Sequence, residues 1–317
     1  MLIDKAAQIL RAGGLVALPT ETVYGLGADA SNELAVRRIF SVKQRPASHP
    51  LIVHLAAAEQ LDAWARDVSP LARKWAAAFW PGPLTLVLKR TELATDTVTG
   101  GYDTVALRVP RHPLALELLR AFKGGIAAPS ANRFGRVSPT TASHVHSELG
   151  EEVELILDGG PCEVGVESTI VDVSTDMPLL LRPGGITVAQ LEQTGGVTVA
   201  TAEEQEGAHA PGRLASHYAP RAGLKLAGRG QLFAEAEALA KTGAKVAVLT
   251  ADASVEVPGC TRIAIPSEAA ALAKVLYAAL RRIDDGGFDV AVIEPPDEHG
   301  LGLAVRDRLM KAAAPRA

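Results

Sequence analysis

PTETVYGLGADASNELAVRRIFSVKQRPASHPLIVH, residues 19–54, is the segment around which the rest of the chain is organised. Its first part is a turn-rich loop that offers hydroxyl groups and backbone N–H donors. Lys43 and Arg45 follow beside Pro46, and an apolar run then ends at His54. Lysine supplies a point charge, and arginine supplies a planar fork for phosphate or carboxylate. The segment therefore predicts one wall of an anion-binding pocket.

The size and composition of the chain indicate a folded protein of two domains. It has 317 residues, of which 48% are apolar and 21% charged, a balance that is typical of globular proteins. The net charge is -4 and the basic residues are dispersed, so no overall field attracts the chain to duplex DNA or to an anionic membrane. The N-terminal residues do not resemble a signal peptide, and no apolar run approaches the roughly 20 residues that span a bilayer. We therefore expect a cytoplasmic location and no membrane partner.

The two cysteines, Cys162 and Cys260, lie far apart in the sequence. Neither has a second cysteine or a histidine at the spacing of metal ligands. This pattern argues against a disulfide framework and a zinc site, and it favours two reduced thiols.

Apolar periodicity predicts alternating strands and helices in the first two thirds of the chain. A helix capped by Asp4 precedes a strand over 15–18, and a helix capped by Ser31 or Asn32 precedes a strand over 51–54. The second helix is predicted to carry its apolar face on Leu34, Val36, Ile39 and Phe40. Further strands are expected over 84–89, 104–109, 126–128, 155–157, 169–173 and 179–181, with helices over 57–66, 70–79, 113–120 and 141–149. The order predicts an α/β or α+β fold with a twisted mixed sheet.

The last third of the chain predicts a separate, smaller domain. Periodicity fades between residues 194 and 223, where Gly, Ala, Glu and Pro dominate. We therefore predict a catalytic domain over 1–200, a linker over 201–222 and a C-terminal domain over 223–317. In the C-terminal domain the pattern predicts helices over 232–241, 269–283 and 301–310 and strands over 245–249, 262–265 and 290–293. This order is typical of a small Rossmann-like α/β unit.

Residues 25–30, GLGADA, match the glycine pattern of dinucleotide-binding loops in form only. The residues TETVY separate the match from the preceding predicted strand, and KQRP lies where an acidic ribose ligand would be expected. We therefore interpret the two glycines as turn residues. The sequence also has no phosphate-binding loop of the GxxxxGK[ST] type, so ATP would need a different scaffold.

Polar residues follow the strand predicted over 126–128. Ser130 and Asn132 come directly after it, and Ser138 follows a few residues later. They could form a turn and a helix cap, or they could bind a ligand where a strand passes into a loop. Both interpretations remain open from the residues alone.

Other candidates lie at the ends of predicted strands. Arg108 and Arg182 end two strands, and Ser168 opens another. His54 is a binding candidate beside the basic loop, although a purely structural histidine fits the pattern equally well. Asp, Glu and His do not occur at the spacing of a catalytic triad or a two-metal site, so the sequence does not favour nucleophilic catalysis.

Six motifs in order carry a resemblance to a known family. They are GGLVALPTETVYGLG, KQRPxxxPLIVH, FWPGPLTLVL, VALRVP, APSAN and GVESTIVD. These motifs, within residues 5–190, resemble the YrdC-type domain. With PGxxxxHYAP in the linker and an added C-terminal domain, the whole chain is similar to the long-form threonylcarbamoyl-AMP synthases.

The resemblance implies a nucleotidyltransferase reaction. In that family L-threonine and bicarbonate form N-carboxy-threonine, which attacks ATP to give threonylcarbamoyl-AMP and pyrophosphate. Mg²⁺ accompanies ATP, with no dedicated protein metal site. The product passes to a separate tRNA threonylcarbamoyl-transferase complex, and direct binding of tRNA by this chain is left open.

The resemblance also implies site residues. Threonine would be bound by Thr22, His54, Arg108, the backbone of Ala128, and Ser168. ATP would be bound by Lys43, Arg45, His49, Thr104, Ser130, Asn132, Ser138 and Arg182. Lys43 and Arg45 would be the catalytic residues and would act on the phosphates of ATP. His49 stands where relatives often carry Asn. Tyr218 in the linker is a candidate lid over the site.

Two other functions are weighed against this one. YrdC-type domains also occur in carbamoyl-adenylate-forming enzymes of hydrogenase maturation, but those chains carry acylphosphatase and zinc-finger-like modules that this sequence lacks. A structured-RNA-binding module would use the same basic pocket for phosphate. The net charge of -4 and the lack of aromatics interleaved with basic residues disfavour it.

Overall fold

The computed structural model describes residues 2–201, 217–254 and 256–315. The chain divides into two compact units. The first unit comprises Met1–Phe134, Pro139–Glu163 and Glu167–Arg213, and the second comprises Gly135–Ser138, Val164–Val166 and Leu214–Ala317. Two short segments from earlier in the sequence thus group with the C-terminal part. Most of the predicted linker, residues 202–216, lies outside the described residues.

The first unit is built on a ten-stranded mixed sheet. Its strands are β1 (Val16–Leu18), β2 (Gly25–Asp29), β3 (Ile52–His54), β4 (Leu84–Lys89), β5 (Thr104–Arg108), β6 (Ile126–Ala127), β7 (Leu155–Ile156), β8 (Thr169–Asp172), β9 (Leu179–Arg182) and β10 (Ala200–Thr201). Their order in space is β10-β9-β8-β4-β5-β3-β6-β2-β1-β7. Strand β3 pairs parallel with β5 and antiparallel with β6, and β4 pairs antiparallel with β5 and parallel with β8. The predicted mixed α/β fold is confirmed.

Helices cover both faces of this sheet. They are α1 (Leu2–Arg11), α2 (Glu33–Lys43), α3 (Leu61–Trp64), α4 (Pro70–Phe79), α5 (Asp96–Thr99), α6 (Pro113–Phe122), α7 (Ala142–Leu149) and α8 (Val188–Gly195). Alternate residues of β1 belong to different apolar clusters, because successive side chains of a strand point to opposite faces. Ala17 packs in the cluster of Trp75, whereas Val16 packs with Leu10 and Leu118.

Two features of the predicted helices are wrong. Helix α1 begins at Leu2, so Asp4 lies in its first turn instead of at its cap, where its charge still suits the positive end of the helix dipole. Leu34 in α2 is 76% exposed, because α2 buries only the face that carries Val36, Ile39 and Phe40. The cap is Asn32, whose side chain accepts from two backbone N–H groups of the first turn.

The interpretation of the glycine pair as turn residues is also wrong. Gly25 and Gly27 lie inside strand β2, which pairs with β1 and β6. A Cβ atom on Gly27 would lie 2.8 Å from Cδ2 of Leu18 and 2.9 Å from Cγ2 of Ile126. Neighbouring side chains pack closely over the strand at Gly27, and a larger residue would have to displace them. This close packing explains why the position is a glycine.

The second unit contains a four-stranded parallel sheet in the order β11-β14-β12-β13. Its elements are β11 (Gly223–Leu226), α9 (Leu232–Ala240), β12 (Val246–Thr250), β13 (Cys260–Ala264), α10 (Ala269–Asp285), β14 (Val290–Ile293) and α11 (Gly302–Ala313). Val246, Val248 and Val292 form part of its buried core. Within the described part of the chain, no helix is long and apolar enough to cross a bilayer.

Five elements are not predicted by the sequence patterns, and the first is strand β2, whose two glycines are interpreted from the sequence as turn residues. Strands β10 and β11 and helix α5 span two to four residues each, too few for a period to show. Helix α8 buries only Leu191, so its apolar face is too narrow to stand out from the surrounding sequence.

Candidate functional site

Lys43 is the last residue of α2 and is buried. Gln44 ends the helix in the left-handed conformation at φ 53°. The Nζ atom of Lys43 donates to the carbonyl oxygens of Ser130, at 2.6 Å, and Asn132, at 2.5 Å. Burial lowers the pKa of Lys43 well below its usual value, and the charge of Arg45 lowers it further. Because an anion placed beside the ammonium would stabilise its charge, the geometry suits a phosphate.

Phe134 is a platform for two of the predicted ATP ligands. The guanidinium carbon of Arg45 lies 5.8 Å from the centre of the Phe134 ring, and the ring of His49 lies 5.4 Å from it. The backbone N–H of Phe134 donates to the Lys43 carbonyl at 2.7 Å, which ties the platform to the end of α2. Arg45 also donates to the carbonyl of Pro50 at 3.1 Å. Burial, with the charge of Arg45, lowers the pKa of His49, which favours a neutral ring.

Arg108 and Glu21 form a buried ion pair. Nη2 of Arg108 lies 2.7 Å from Oε1 of Glu21, and the side chains are 4% and 1% exposed. Oε2 of Glu21 accepts from the backbone N–H of Arg111 at 2.9 Å, and Nε of Arg108 donates to the carbonyl of Gly82 at 3.2 Å. Burial raises the pKa of Glu21, but the charge and hydrogen bond of Arg108 outweigh burial and hold the pKa below its usual value. Glu21 is therefore ionised and fixes the guanidinium.

His54 ends β3 directly opposite Arg108 on β5. Its side chain is buried, and its Nδ1 atom has no hydrogen-bond partner among the described residues. Burial, assisted by the charge of Arg108, lowers the pKa of His54 to about 3. The ring is thus neutral at physiological pH, and Nδ1 is left to a ligand.

Ser168 is held between two polar side chains. Its hydroxyl lies 2.8 Å from that of Thr85, and Nη2 of Arg182 donates to its carbonyl at 2.9 Å and to its hydroxyl at 3.1 Å. Close packing behind it depends on Gly184, on which a Cβ atom would lie 2.3 Å from the backbone nitrogen of Thr169. Arg182 and Ser168 are therefore fixed in one position relative to each other.

Thr22 and Ala128 have local partners. The Thr22 hydroxyl lies 2.8 Å from that of Thr20, which in turn donates to the carbonyl of Val23 at 2.6 Å. The backbone N–H of Ala128 donates to Ile52 at 3.0 Å. A ligand at Ala128 would consequently have to use the carbonyl oxygen.

Contacts within the first unit join the predicted residues into two groups. Lys43, Arg45 and His49 are linked with Ser130 and Asn132 by the contacts described above. The second group is linked through strands β3, β4, β5 and β8, and it consists of Arg108, His54, Ser168 and Arg182. Two hydrogen bonds join its parts: Nε of Arg108 donates to the carbonyl of Gly82, and the N–H of Thr169 donates to the carbonyl of Pro83. Thr104 stands apart from Arg108, because it lies at the other end of β5, about 13 Å along the strand.

Ser138 and Tyr218 belong to the second unit. Ser138 is fully buried. Tyr218 has φ 61° and stacks on Tyr277, with ring centres 5.7 Å apart, beside the ring of His217 at 4.1 Å. The guanidinium carbon of Arg308 lies 5.3 Å from the Tyr218 ring. A lid role for Tyr218 stays a prediction.

Three site residues were not predicted from the sequence: Glu21, Thr85 and Phe134. Glu21 is the one charged residue within residues 15–28, which could have indicated a buried cationic partner. Phe134 follows the APSAN motif by two positions, and no periodicity marks it. Thr85 is indistinguishable in sequence from an ordinary strand threonine.

Fold and site together define an α/β domain in which buried cations are grouped in a way that suits an anionic small molecule, followed in the chain by a small parallel-sheet domain. Two family profiles match the chain: "Telomere recombination" (Sua5, YciO and YrdC) over residues 8–184, and "Threonylcarbamoyl-AMP synthase, C-terminal domain" over residues 186–314. The chain belongs to the threonylcarbamoyl-AMP synthase family, a family of adenylyl-transferring enzymes.

Individual relatives span nearly the whole chain. The threonylcarbamoyl-AMP synthase of Pyrococcus abyssi is 43% identical over 98% of this chain and 94% of its own. That of Bacillus subtilis is 42% identical over 99% and 93%. The crystal structure of Pyrococcus abyssi Sua5 complexed with L-threonine superposes with a TM-score of 0.92 at 42% identity, covering 98% of this chain and 94% of that one.

Proposed function

We propose that this chain forms threonylcarbamoyl-AMP and pyrophosphate from ATP, L-threonine and bicarbonate, and so supplies the group that is added to adenosine in tRNA. Membership of the family supports this function, as does the L-threonine bound by the related Pyrococcus abyssi protein. The observation that carries the proposal is the environment of Lys43. A buried lysine that donates to two carbonyl oxygens beside Arg45, and whose pKa is lowered by burial, is a site at which a bound phosphate would favour the charged ammonium form.

The chemistry needs positioning more than it needs a protein nucleophile. The carboxylate of N-carboxy-threonine attacks the α-phosphorus of ATP, and pyrophosphate leaves. Fixed positive charge lowers the barrier by stabilising the charge that develops on the phosphate oxygens. Lys43 and Arg45 would bind the phosphates, and Arg182 is the third buried cation that we assign to ATP.

Mg²⁺ would enter with the nucleotide. In the described part of the chain, no three His, Cys, Asp or Glu side chains are grouped so as to hold a metal ion. We assign this ion mainly to the ATP phosphates, where it would neutralise part of their charge.

We assign the threonine subsite to Arg108, His54, Thr22, Ser168 and the carbonyl of Ala128. Arg108 commits Nε to Gly82 and Nη2 to Glu21, which leaves Nη1 for the amino-acid carboxylate. Nδ1 of the neutral His54 is left to the same ligand. A neutral ring can accept a hydrogen bond from an amino or hydroxyl group, and an imidazolium cannot.

The remaining residues that we assign to ATP are His49, Thr104, Ser130, Asn132 and Ser138. Tyr218 is assigned the lid that would exclude water, since the carbamate and the mixed anhydride are both lost to hydrolysis. The transferase complex that would consume the product, and the cytoplasm as its location, belong to the same proposal.

Substitutions at the phosphate wall test the function. We expect Lys43→Ala and Arg45→Ala each to lower threonylcarbamoyl-AMP formation at least about 100-fold, the cost of removing a group that stabilises transition-state charge. Arg37→Ala is the matched control, because Arg37 lies on the same helix as Lys43, its side chain is 65% exposed, and it pairs with Glu33 one turn away. Product is measured by chromatography with labelled threonine, and circular dichroism checks the fold.

The substrate requirement is tested in the same assay. Pyrophosphate release should need both threonine and bicarbonate. Release of pyrophosphate with neither present, or full turnover in Lys43→Ala, would contradict the proposed function.

A further inference from the structure

Thr85 is a fully buried polar residue in strand β4, and the proposed reaction gives it no role. Strand β4 lies between β5, which carries Arg108, and β8, which Ser168 directly precedes. Val87, two residues further on and therefore on the same face of β4, packs against Ile170 in an apolar cluster. The Thr85 hydroxyl thus reaches the threonine subsite from an otherwise apolar face of the sheet.

The hydroxyl of Ser168 has limited hydrogen-bonding capacity, with one hydrogen to donate and two lone pairs to accept with. Arg182 fills one lone pair, because its Nη2 atom lies 3.1 Å from Oγ of Ser168 and a guanidinium can only donate. The backbone carbonyl of Ser168 accepts from Nε and Nη2 of Arg182 as well, at 3.1 and 2.9 Å, which keeps the guanidinium in place. The second lone pair and the hydrogen are left for Thr85 and for a ligand.

The 2.8 Å contact between the hydroxyls of Thr85 and Ser168 can form with either one as donor. If Ser168 were the donor, the Thr85 hydrogen would have no acceptor within the described part of the chain, and a buried donor without a partner is costly. If Thr85 is the donor, the hydrogen left over is that of Ser168, which a ligand in the subsite can accept. Both hydrogens are satisfied only in this second arrangement, with a ligand bound.

With Thr85 as donor, Ser168 can only donate to the ligand. Arg182 and Thr85 fill both of its lone pairs, so none is left for the ammonium group of an amino acid. The carboxylate of threonine only accepts and carries a charge, and hydrogen bonds to charged acceptors are the stronger ones. Nη1 of Arg108 is assigned to this carboxylate as well, so both donors would bind the same group.

We propose that Thr85 is a positioning residue of the synthase, which donates to Ser168 and thereby directs the Ser168 hydrogen at the carboxylate of threonine. The role rests on the proposed function, because it needs threonine in this subsite. Thr85 itself does not touch the substrate and acts only through Ser168.

Two variants of the full-length chain isolate the hydroxyl. Thr85→Ser and Thr85→Ala both lose the methyl group of the threonine side chain, and they differ from each other only in the hydroxyl. We expect Thr85→Ala to bind L-threonine about five-fold more weakly than Thr85→Ser, the cost of one neutral hydrogen bond. Isothermal titration calorimetry without ATP measures the affinities, and circular dichroism checks the fold. Thr85→Cys, whose thiol is a weak donor, gives a second comparison with Thr85→Ser if alanine destabilises the strand.

Steady-state kinetics separate positioning from a general effect on the site. From Thr85→Ser to Thr85→Ala, the KM for threonine should rise about five-fold. The kcat and the KM for ATP should be the same in both variants, because Arg182 keeps its bonds to the Ser168 carbonyl. Thr91→Ala is the matched control, since Thr91 follows the same strand and its hydroxyl donates at the surface to the carbonyl of Ala63 at 2.7 Å. It should bind threonine like the unaltered chain.

A double-mutant cycle tests whether Thr85 acts through Ser168. In a Ser168→Ala background, the same exchange of serine for alanine at position 85 should change kcat/KM for threonine less than about two-fold, because the hydroxyl that Thr85 directs is gone. A change as large as in the presence of Ser168 would overturn the proposal. So would equal threonine affinities of Thr85→Ser and Thr85→Ala, or a loss of kcat and of ATP affinity that matches the loss of threonine affinity.

The two proposals fail in different ways. Threonine binding by the unaltered chain without formation of threonylcarbamoyl-AMP would contradict the proposed function, and the affinities of the variants would still decide the role of Thr85. Product formation with equal threonine affinities in Thr85→Ser and Thr85→Ala would contradict the role of Thr85 alone. No threonine binding by the unaltered chain would contradict both.

Discussion

The buried neutral histidine predicts a measurable dependence of stability on pH. His54 has its pKa lowered from 6.5 to about 3 in the folded chain. The unfolded chain therefore takes up a proton first as the pH falls. The stabilising contribution is complete above pH 6.5 and is lost as the pH falls from about 6.5 toward 3.

The size of this loss follows from the two pKa values. One unit of pKa difference is worth about 1.4 kcal/mol, so the limiting loss is about 5 kcal/mol at the acid end. Between pH 7.5 and pH 5.0 the linkage relation gives about 2 kcal/mol, since the folded chain has scarcely begun to titrate there. The side chain is buried, so solvent screening does not reduce this figure much.

Urea unfolding followed by tryptophan fluorescence measures the effect. Trp64, Trp75 and Trp80 all lie in the first unit, so the signal reports the unit that contains His54. The comparison is between the unaltered chain and His54→Asn, each at pH 7.5 and pH 5.0. We expect the unaltered chain to lose about 2 kcal/mol more than the variant over this interval. Equal losses in the two proteins would refute the assignment of a buried, neutral histidine.

Three further predictions follow from the site. Glu21→Gln should cost about 3 kcal/mol of unfolding free energy in the same urea assay, because it leaves Arg108 buried without its counter-ion. Adding Arg108→Met to this variant should recover most of the loss. A Glu21→Gln variant as stable as the unaltered chain would contradict the ion pair. ATP binding should be accompanied by proton uptake at a pH between the lowered pKa of Lys43 and the usual lysine value, since phosphate would raise the lowered pKa. Calorimetry in buffers of different ionisation enthalpy, repeated over several pH values up to the usual lysine range, should detect the uptake, and Lys43→Ala should abolish it. Binding heats that are identical in all buffers over this whole range would exclude it. Gly184→Ala should destabilise the first unit by about 2 kcal/mol or more in urea, because the new Cβ atom would lie 2.3 Å from the backbone nitrogen of Thr169. An unchanged urea midpoint would contradict this prediction, since it would mean that the backbone moves aside at no cost.

Much of the site follows from local chemistry that the sequence displays. Lys43 ends a capped amphipathic helix and Arg45 follows two positions later, so a local pattern suffices to place two cations together. Arg108 and Arg182 end strands as the alternation predicts. Local pattern does not show what holds these cations, because their partners come from distant parts of the chain.

The sequence by itself determined the mixed α/β class, the alternation of elements and the basic wall around Lys43, because period and charge are properties of neighbouring residues. Only the tertiary structure decided that Glu21 meets Arg108 across 87 positions, that Gly27 lies in a strand, and that Phe134 packs on Arg45 and His49. The physical reason is the order of the sheet. Strands β4, β5, β3 and β6 are neighbours out of sequence, so contacts between them depend on which strands pair, and no local period records that choice.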